Sequence, residues 1–391
     1  MNILQFFTIT EWRKLKELRN SPLKLWHQLK VKYLHKNHFL SAFVFSVIYS
    51  LIFKFSFIAS GEVYAEMATN YFVNAKSQDF SVKFLSLDSG YLPFFLKLVS
   101  ALFDFLNLPN YLIPYFQTWF AILFISFCCS IFCLNLFKPL VDNERTRFLI
   151  AITIIMVSPF ETTMFFNCTY YSIFPLACLI LASLSNTAEK PHIAIYLLPL
   201  LFFGKPYHLC LLPLLLLGAV LAKNYRYKTV FFISIIVLLI QILLLINSKN
   251  SGVTIDPQTV YYSAPDKIFF AVINFFGLFF SYLIGPLFTN LINSILYPEI
   301  LVFMGAFICF YTLYICIRYR DFSNFIIIGG LSIAFCCCFI NSFTITSVWN
   351  SELNILRGAN FSRHSITVFW GSLVAMMGFY DKLTRYNFFN K

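Results

Sequence analysis

What most constrains this chain is a succession of apolar runs, each followed by a short polar or basic break, repeated along most of its length. A helix that crosses a bilayer needs ~20 predominantly apolar residues, and the runs at 112–137, 229–246, 300–317 and 324–340 approach or exceed that length. Of the 391 residues, 59% are hydrophobic and only 12% are charged. A water-soluble domain could not cover that much apolar surface with polar groups, so the solvent must be lipid. A backbone in lipid has to satisfy its own hydrogen bonds, and runs of this kind do so as helices. The expected fold class is all-α: a polytopic transmembrane helical bundle of about ten spans, or twelve if the stretch 247–299 contributes two.

The formal charge of +12 raises the question of nucleic acid. Lys and Arg nevertheless lie in short clusters between apolar runs, the pattern that orients membrane helices, so no nucleic-acid partner is expected. Residues 11–38 interleave Arg13, Lys14, Lys16, Arg19, Lys24, Lys30, Lys32 and Lys36 with Trp12, Leu15, Leu18 and Trp26. That composition suits an interfacial helix pair, broken near Pro22, on an anionic cytoplasmic leaflet. Lys138, Arg145 and Arg147, then Lys223, Arg226 and Lys228, then Arg318 and Arg320, then Lys382 and Arg385 mark returns to the same side. Both termini are therefore expected in the cytoplasm, with a basic segment at 1–38, one transmembrane domain at 39–380 and a tail at 381–391. No cleavable signal is expected, because the basic N-terminal segment is too long. The 11 cysteines fall within or at the edge of apolar runs, without disulfide or metal-ligand spacing, and should pack as small apolar side chains.

The first span is expected at 39–59. A polar stretch at 60–90 follows, and then 91–106, an apolar segment interrupted by Lys97 and Asp104, which reads as an amphipathic helix lying at the outer interface. The second span is expected at 112–137. Two short hairpins come next, 148–185 with its outer turn near 161–167 and 193–222 with its outer turn near 204–208. Their arms are shorter than the ~20 residues of a full crossing, so the turns should sink below the bilayer surface and line a cavity. Spans at 229–246, 300–317, 324–340 and 366–380 complete the pass, while 247–299 could form a re-entrant hairpin, an interfacial pair or two thin spans.

Several polar residues on the outer side are not needed for topology. Ionisable groups held between helices at a membrane face are costly, which raises the chance that they are functional. Glu62 and Glu66 follow the first span, and in a helix their spacing puts both carboxylates on one face. A partly buried carboxylate there could take a proton from an acceptor hydroxyl as a general base; an acidic first turn favoured by the helix dipole is the plainer reading. The late loop carries Arg357, Arg363 and His364 directly before the last span. Arginine forks grip phosphate bidentately, so these cations suit a lipid-linked phosphate or pyrophosphate, although Arg also anchors helix ends at interfaces. Lys205 and His208, at the tip of the second hairpin, and Lys97 could join the same phosphate site. Signatures of soluble enzymes, such as a phosphate-cradling Gly loop, HExxH, GxSxG or paired CxxC, are absent.

Three patches resemble the glycosyltransferase C superfamily, polytopic enzymes that move sugars from polyprenyl-phosphate donors on the outer or lumenal face. The first is Gly61-Glu62-Val63-Tyr64-Ala65-Glu66, an acidic motif after the first span and before a long outer loop of membrane-lying helices. Asp88-Ser89-Gly90-Tyr91-Leu92-Pro93 leading into Lys97 is the second, similar to a segment of bacterial members that include surface-polysaccharide glycosyltransferases. Arg363-His364 before the last span is the third. Many members carry Asp-Glu where this chain has Gly61-Glu62, and Tyr where it has His364. The resemblance implies Glu62 as the base, Arg363 on the donor phosphate, and Asp88 or Glu66 orienting the acceptor or a divalent metal. It implies a bacterial inner membrane with the site on the periplasmic side.

The expected activity is transfer of a sugar from a polyprenyl-phosphate donor to a lipid-linked or surface glycan, with membrane lipid as surroundings. The nearest alternative is an O-antigen or capsule polymerase, which joins lipid-pyrophosphate-linked repeats and needs no acid after the first span. A lipid or glycan transporter is a third reading, but it would place polar residues near the midplane on broken helices, often in repeats, and no clear repeat is seen.

Overall fold

The computed structural model of the protein describes residues 37–53, 58, 67–157, 160–250, 263–295, 299–344 and 365–386. Glu62, Glu66, Arg357, Arg363, His364 and all but the end of the basic N-terminal segment lie outside the described residues. The helices follow in the order α1 (His38–Phe53), α2 (Phe94–Phe105), α3 (Ile113–Ser130), α4 (Glu144–Val157), α5 (Ile173–Ser183), α6 (Leu212–Leu221), α7 (Tyr225–Asn250), α8 (Ala264–Ile295), α9 (Glu299–Arg318), α10 (Ser323–Thr344) and α11 (Ile366–Arg385). Tighter 3-10 or wider π turns connect several of them, and no strand occurs among the described residues.

Among the described residues, six helical stretches are long and apolar enough to cross a membrane: Ile113–Cys133, Phe165–Ser183, Tyr225–Ser248, Ala264–Gly285, Glu299–Arg318 and Ser323–Phe343. The side chains of α9 explain why this is a lipid-solvated bundle. Phe303, Phe307, Phe310, Tyr314 and Ile317 are exposed along one face, while Leu301, Gly305, Cys309, Thr312 and Cys316 are buried on the other. In water such an aromatic stripe would be an aggregation surface; in lipid it is the solvated face. The chain is thus a membrane-embedded all-α bundle.

Among the described residues, several basic or histidine side chains tie helix ends to neighbouring segments. His38 at the start of α1 lies 3.7 Å from Glu144 at the start of α4, Arg226 donates to the Pro191 carbonyl, and buried Lys382 pairs with Asp321 at 3.0 Å. Close packing ties α10 to α11, where Gly330, Ala334, Gly371 and Ala375 let the two backbones meet. Small residues serve this purpose in lipid, where there is little hydrophobic drive between helices.

The first hairpin turns within its expected region, and its second arm, Phe165–Ser183, is a continuous stretch of 19 residues buried inside the bundle. Asn167, Thr169, Tyr171 and Ser172 near its start are buried, with the Tyr171 and Ser172 hydroxyls partnered by Thr162 and His208. The second hairpin keeps the expected shape, with short arms Ile193–Phe203 and Pro206–Leu221 broken at Gly204 and Lys205. Within 247–299, α8 runs through Ala264–Ile295 with a break at Gly285, whose φ of 83° and ψ of 166° are not helical. Lys267 lies over the Phe343 ring at the end of α10, and the Tyr282 hydroxyl meets Ser365 at 2.6 Å beside the start of α11. Between these points Phe275 meets the Phe335 ring of α10 at 5.6 Å between centroids, so α8 packs along α10 as well as at its end.

Candidate functional site

The site lies at the end opposite the basic loops and is organised by a four-residue turn. Asp88 and Tyr91 exchange both backbone hydrogen bonds, at 2.8 and 3.0 Å. Between them Ser89 and Gly90 both have positive φ, 47° and 86°. This is a type I′ arrangement, which glycine tolerates at no steric cost. Two contacts from α7 hold the turn in place. Gln241 accepts from the Leu92 N–H at 3.0 Å and donates to the Leu92 carbonyl at 2.8 Å, and a Cβ on Gly90 would come within 2.6 Å of the Ser248 hydroxyl oxygen. Gly90→Ala is expected to destabilise the protein by ~1–2 kcal/mol from the left-handed backbone alone, with a further loss from the Ser248 collision. Thermal unfolding of Gly90→Ala, alone and combined with Ser248→Gly, separates the two; equal melting temperatures for Gly90→Ala and the parent would refute this account of the turn.

The turn points Asp88 inward, where it is only 2% exposed. Its Oδ2 accepts from the Tyr91 hydroxyl at 2.8 Å and the Tyr71 hydroxyl at 3.1 Å, and its Oδ1 accepts from the Ser89 hydroxyl at 3.3 Å. Tyr71 reaches the carboxylate from a π-helical segment, Met67–Val73. Lys205, at the break of the second hairpin, donates from Nζ to the Tyr91 hydroxyl oxygen at 2.6 Å, and its ammonium lies 5.0 and 5.1 Å from the Tyr91 and Phe166 ring centroids. The Tyr91 hydroxyl therefore receives a hydrogen bond from a cation and passes one to an anion, a buried relay in which each charge has a polar partner.

His208 is fully buried beneath Lys205. Its Nδ1 lies 2.9 Å from the Lys205 carbonyl and its Nε2 2.8 Å from the Ser172 hydroxyl. A carbonyl only accepts, so Nδ1 carries the proton. Both ring nitrogens are engaged inside the protein, and His208 acts here by holding the backbone that presents Lys205. Lys97, on the buried face of α2 with Leu96, Ser100 and Phe103, is 1% exposed. Its Nζ donates to the Ser86 hydroxyl at 2.6 Å and to the Asn70 carbonyl at 3.4 Å, next to Tyr71.

Burial pushes the Lys97 ammonium down from its ordinary value, and the negative charge of Asp88 offsets part of that. The unfolded chain then binds more protons than the folded one between the depressed folded value and the ordinary lysine value. Stability gained by removing this charge is therefore fully present below that window and fades as the pH rises through it. Lys97→Met, which keeps the stem and loses the charge, should show its largest melting-temperature advantage over the parent near neutral pH. Melting curves of both proteins from pH 7 to 10 check this, and an advantage that widens with pH would contradict it.

Of the residues singled out from sequence, Asp88 and Lys205 come together through Tyr91, with Lys97 attached to the same segment and His208 behind it. Tyr71, Tyr91 and Gln241 were not singled out as site residues. Gln241 carried a signal, as an amide within the apolar run 229–246; Tyr91 stood in the Asp88 motif without a role, and Tyr71 carried no signal. Among the described residues, no group of three or more His, Cys, Asp or Glu is arranged to hold a metal ion. Comparison with family models, with curated proteins and with solved structures finds no match to this chain.

Proposed function

We propose that the protein is a membrane glycosyltransferase that moves a sugar from a polyprenyl-phosphate donor to a lipid-linked or surface glycan on the outer face of a bacterial inner membrane. The observation that carries this reading is the buried Asp88–Tyr91–Lys205 relay with Lys97 beside it, at the end of the bundle remote from the topology-setting cations. A membrane-embedded chain retains buried ionisable groups at a cost, and two cations near one carboxylate suit an anionic substrate. The motif resemblance at 61–66, 88–93 and 363–364 supports the same class. In this reading shorter helices cross as well as the six long ones, which brings the bundle to between ten and twelve crossings.

Glu62 takes the proton of the acceptor hydroxyl as its oxygen bonds to the anomeric carbon. The bond from that carbon to the phosphate oxygen breaks, and the electron pair leaves with the lipid phosphate, whose charge Arg363, Arg357 and Lys205 offset. Asp88 is a positioning residue that fixes Tyr91 and, through it, Lys205. Mass spectrometry of surface glycans from cells with and without the gene tests the reading. Loss of one branch sugar supports it, loss of chain length assigns a polymerase instead, and unchanged glycans refute both. Purified Arg363→Ala protein is expected to insert normally and to lose transfer.

A further inference from the structure

A second feature lies near the basic end and is independent of that reading. Between α3, α5 and the arm Ile193–Phe203 is a cavity of about 400 Å³, within the ~300–1,000 Å³ of small-ligand sites. Its walls are apolar, with Phe124, Phe137, Leu176, Leu179, Ile195 and Leu198 facing the space. Polar groups occur at its two extremes: Ser172 at the deep end, and Glu189, Lys190 and His192 at the mouth. Phe127 and Ala194, on opposite sides of the rim, are exposed, so the cavity opens sideways where lipid would lie.

The mouth is electropositive. Lys190 is exposed there, Arg226 is fastened to the Pro191 carbonyl at 3.2 Å, Lys223 and Lys228 are its close neighbours in the chain, and Glu189 is the one acid among the residues lining the cavity. His192 is already used, its Nδ1 accepting the Ala194 N–H at 3.2 Å. An unfilled apolar cavity is destabilising, and a hydrocarbon chain fills it without stranding any hydrogen-bonding group. A soluble polar ligand would find no partners along these walls. The volume suits one chain and the mouth suits one negative headgroup.

We propose that this cavity binds one acyl chain of an anionic phospholipid from the leaflet at the basic end, with the lipid phosphate at Lys190 and Arg226. The lipid is a bound structural ligand that fills the gap between α3, α5 and the short arm.

Native mass spectrometry of the full chain released from phosphatidylcholine nanodiscs doped with phosphatidylglycerol tests this. The parent protein should retain one phosphatidylglycerol in preference to phosphatidylcholine. Leu198→Trp, which fills the cavity from its half-buried rim, should reduce that occupancy at least tenfold. Lys190→Gln, an exposed substitution that leaves the fold alone, should weaken retention about fivefold, the effect of one cation near a membrane surface. Equal retention of the two lipids, unchanged retention in Lys190→Gln, or displacement of phosphatidylglycerol by an added polyprenyl phosphate would each overturn the proposal.

Discussion

Asp88→Asn is expected to reduce sugar transfer about 100-fold or more, the scale on which removal of a single preorganised electrostatic group acts. The substitution keeps the size of the side chain and leaves the Asp88–Tyr91 backbone pair intact, so the turn should persist. What it removes is the charge that receives the Tyr71 and Tyr91 hydroxyls and balances Lys205 through Tyr91. Tyr91→Phe should act in the same direction but more weakly, because it breaks the relay and leaves both charges in place. The two variants distinguish positioning from structural support. A positioning role lowers kcat with little change in melting temperature and alters the pH profile of transfer. A structural role lowers the melting temperature and spares kcat in the molecules that remain folded, and that outcome would remove Asp88 from the mechanism. Asp88→Ala is the harsher change, since it removes the carboxylate that accepts from two buried phenols.

Gly330→Ala should sharply reduce the yield of folded protein, and Gly330→Leu should abolish it. A Cβ at Gly330 would lie 2.3 Å from the Ala375 nitrogen and 2.5 Å from the Gly371 carbonyl oxygen, and one at Gly371 would lie 2.6 Å from the Ala334 nitrogen. These contacts are with backbone, so no rotamer change relieves them and α10 must move away from α11. Overpacking in a tight interior costs ~1–3 kcal/mol where side chains can adjust, and more is expected here because they cannot. The separation would also disturb Tyr207, whose hydroxyl bonds Asn341 on α10 at 2.6 Å and sits two residues from Lys205. Size-exclusion profiles and melting temperatures in detergent provide the measurement, with Leu239→Ala on the exposed face of α7 as a control that should change little. A Gly330→Ala protein that melts with the parent would mean that the two helices do not pack at this distance.

How much was legible beforehand varies by element. The runs that became α7, α9 and α10 are long and strongly apolar, and α2 was readable as an amphipathic piece from its interruptions at Lys97 and Asp104, although Lys97 proves to lie on its buried side. What hydropathy did not show is how deeply residues 165–183 are buried: Asn167, Thr169, Tyr171 and Ser172 are enclosed by protein, and Tyr171 and Ser172 find hydroxyl and imidazole partners on other segments. In the site, Asp88, Lys97, Lys205 and His208 drew attention as ionisable groups in apolar surroundings. Their assembly did not, since the bond that joins Lys205 to Tyr91 spans 114 residues of chain and the Gln241 clamp spans 149.

By itself, then, the sequence determined the solvent, the helical class and the segregation of cations, because those properties depend on composition and on periodicity within one segment. Only the tertiary structure decided which span is central, that α8 packs against both α10 and α11, that His208 faces inward to hold a backbone, and that a tyrosine stands between Asp88 and Lys205. Those outcomes are set by which buried polar group finds a partner, and in this bundle the partners lie on different helices.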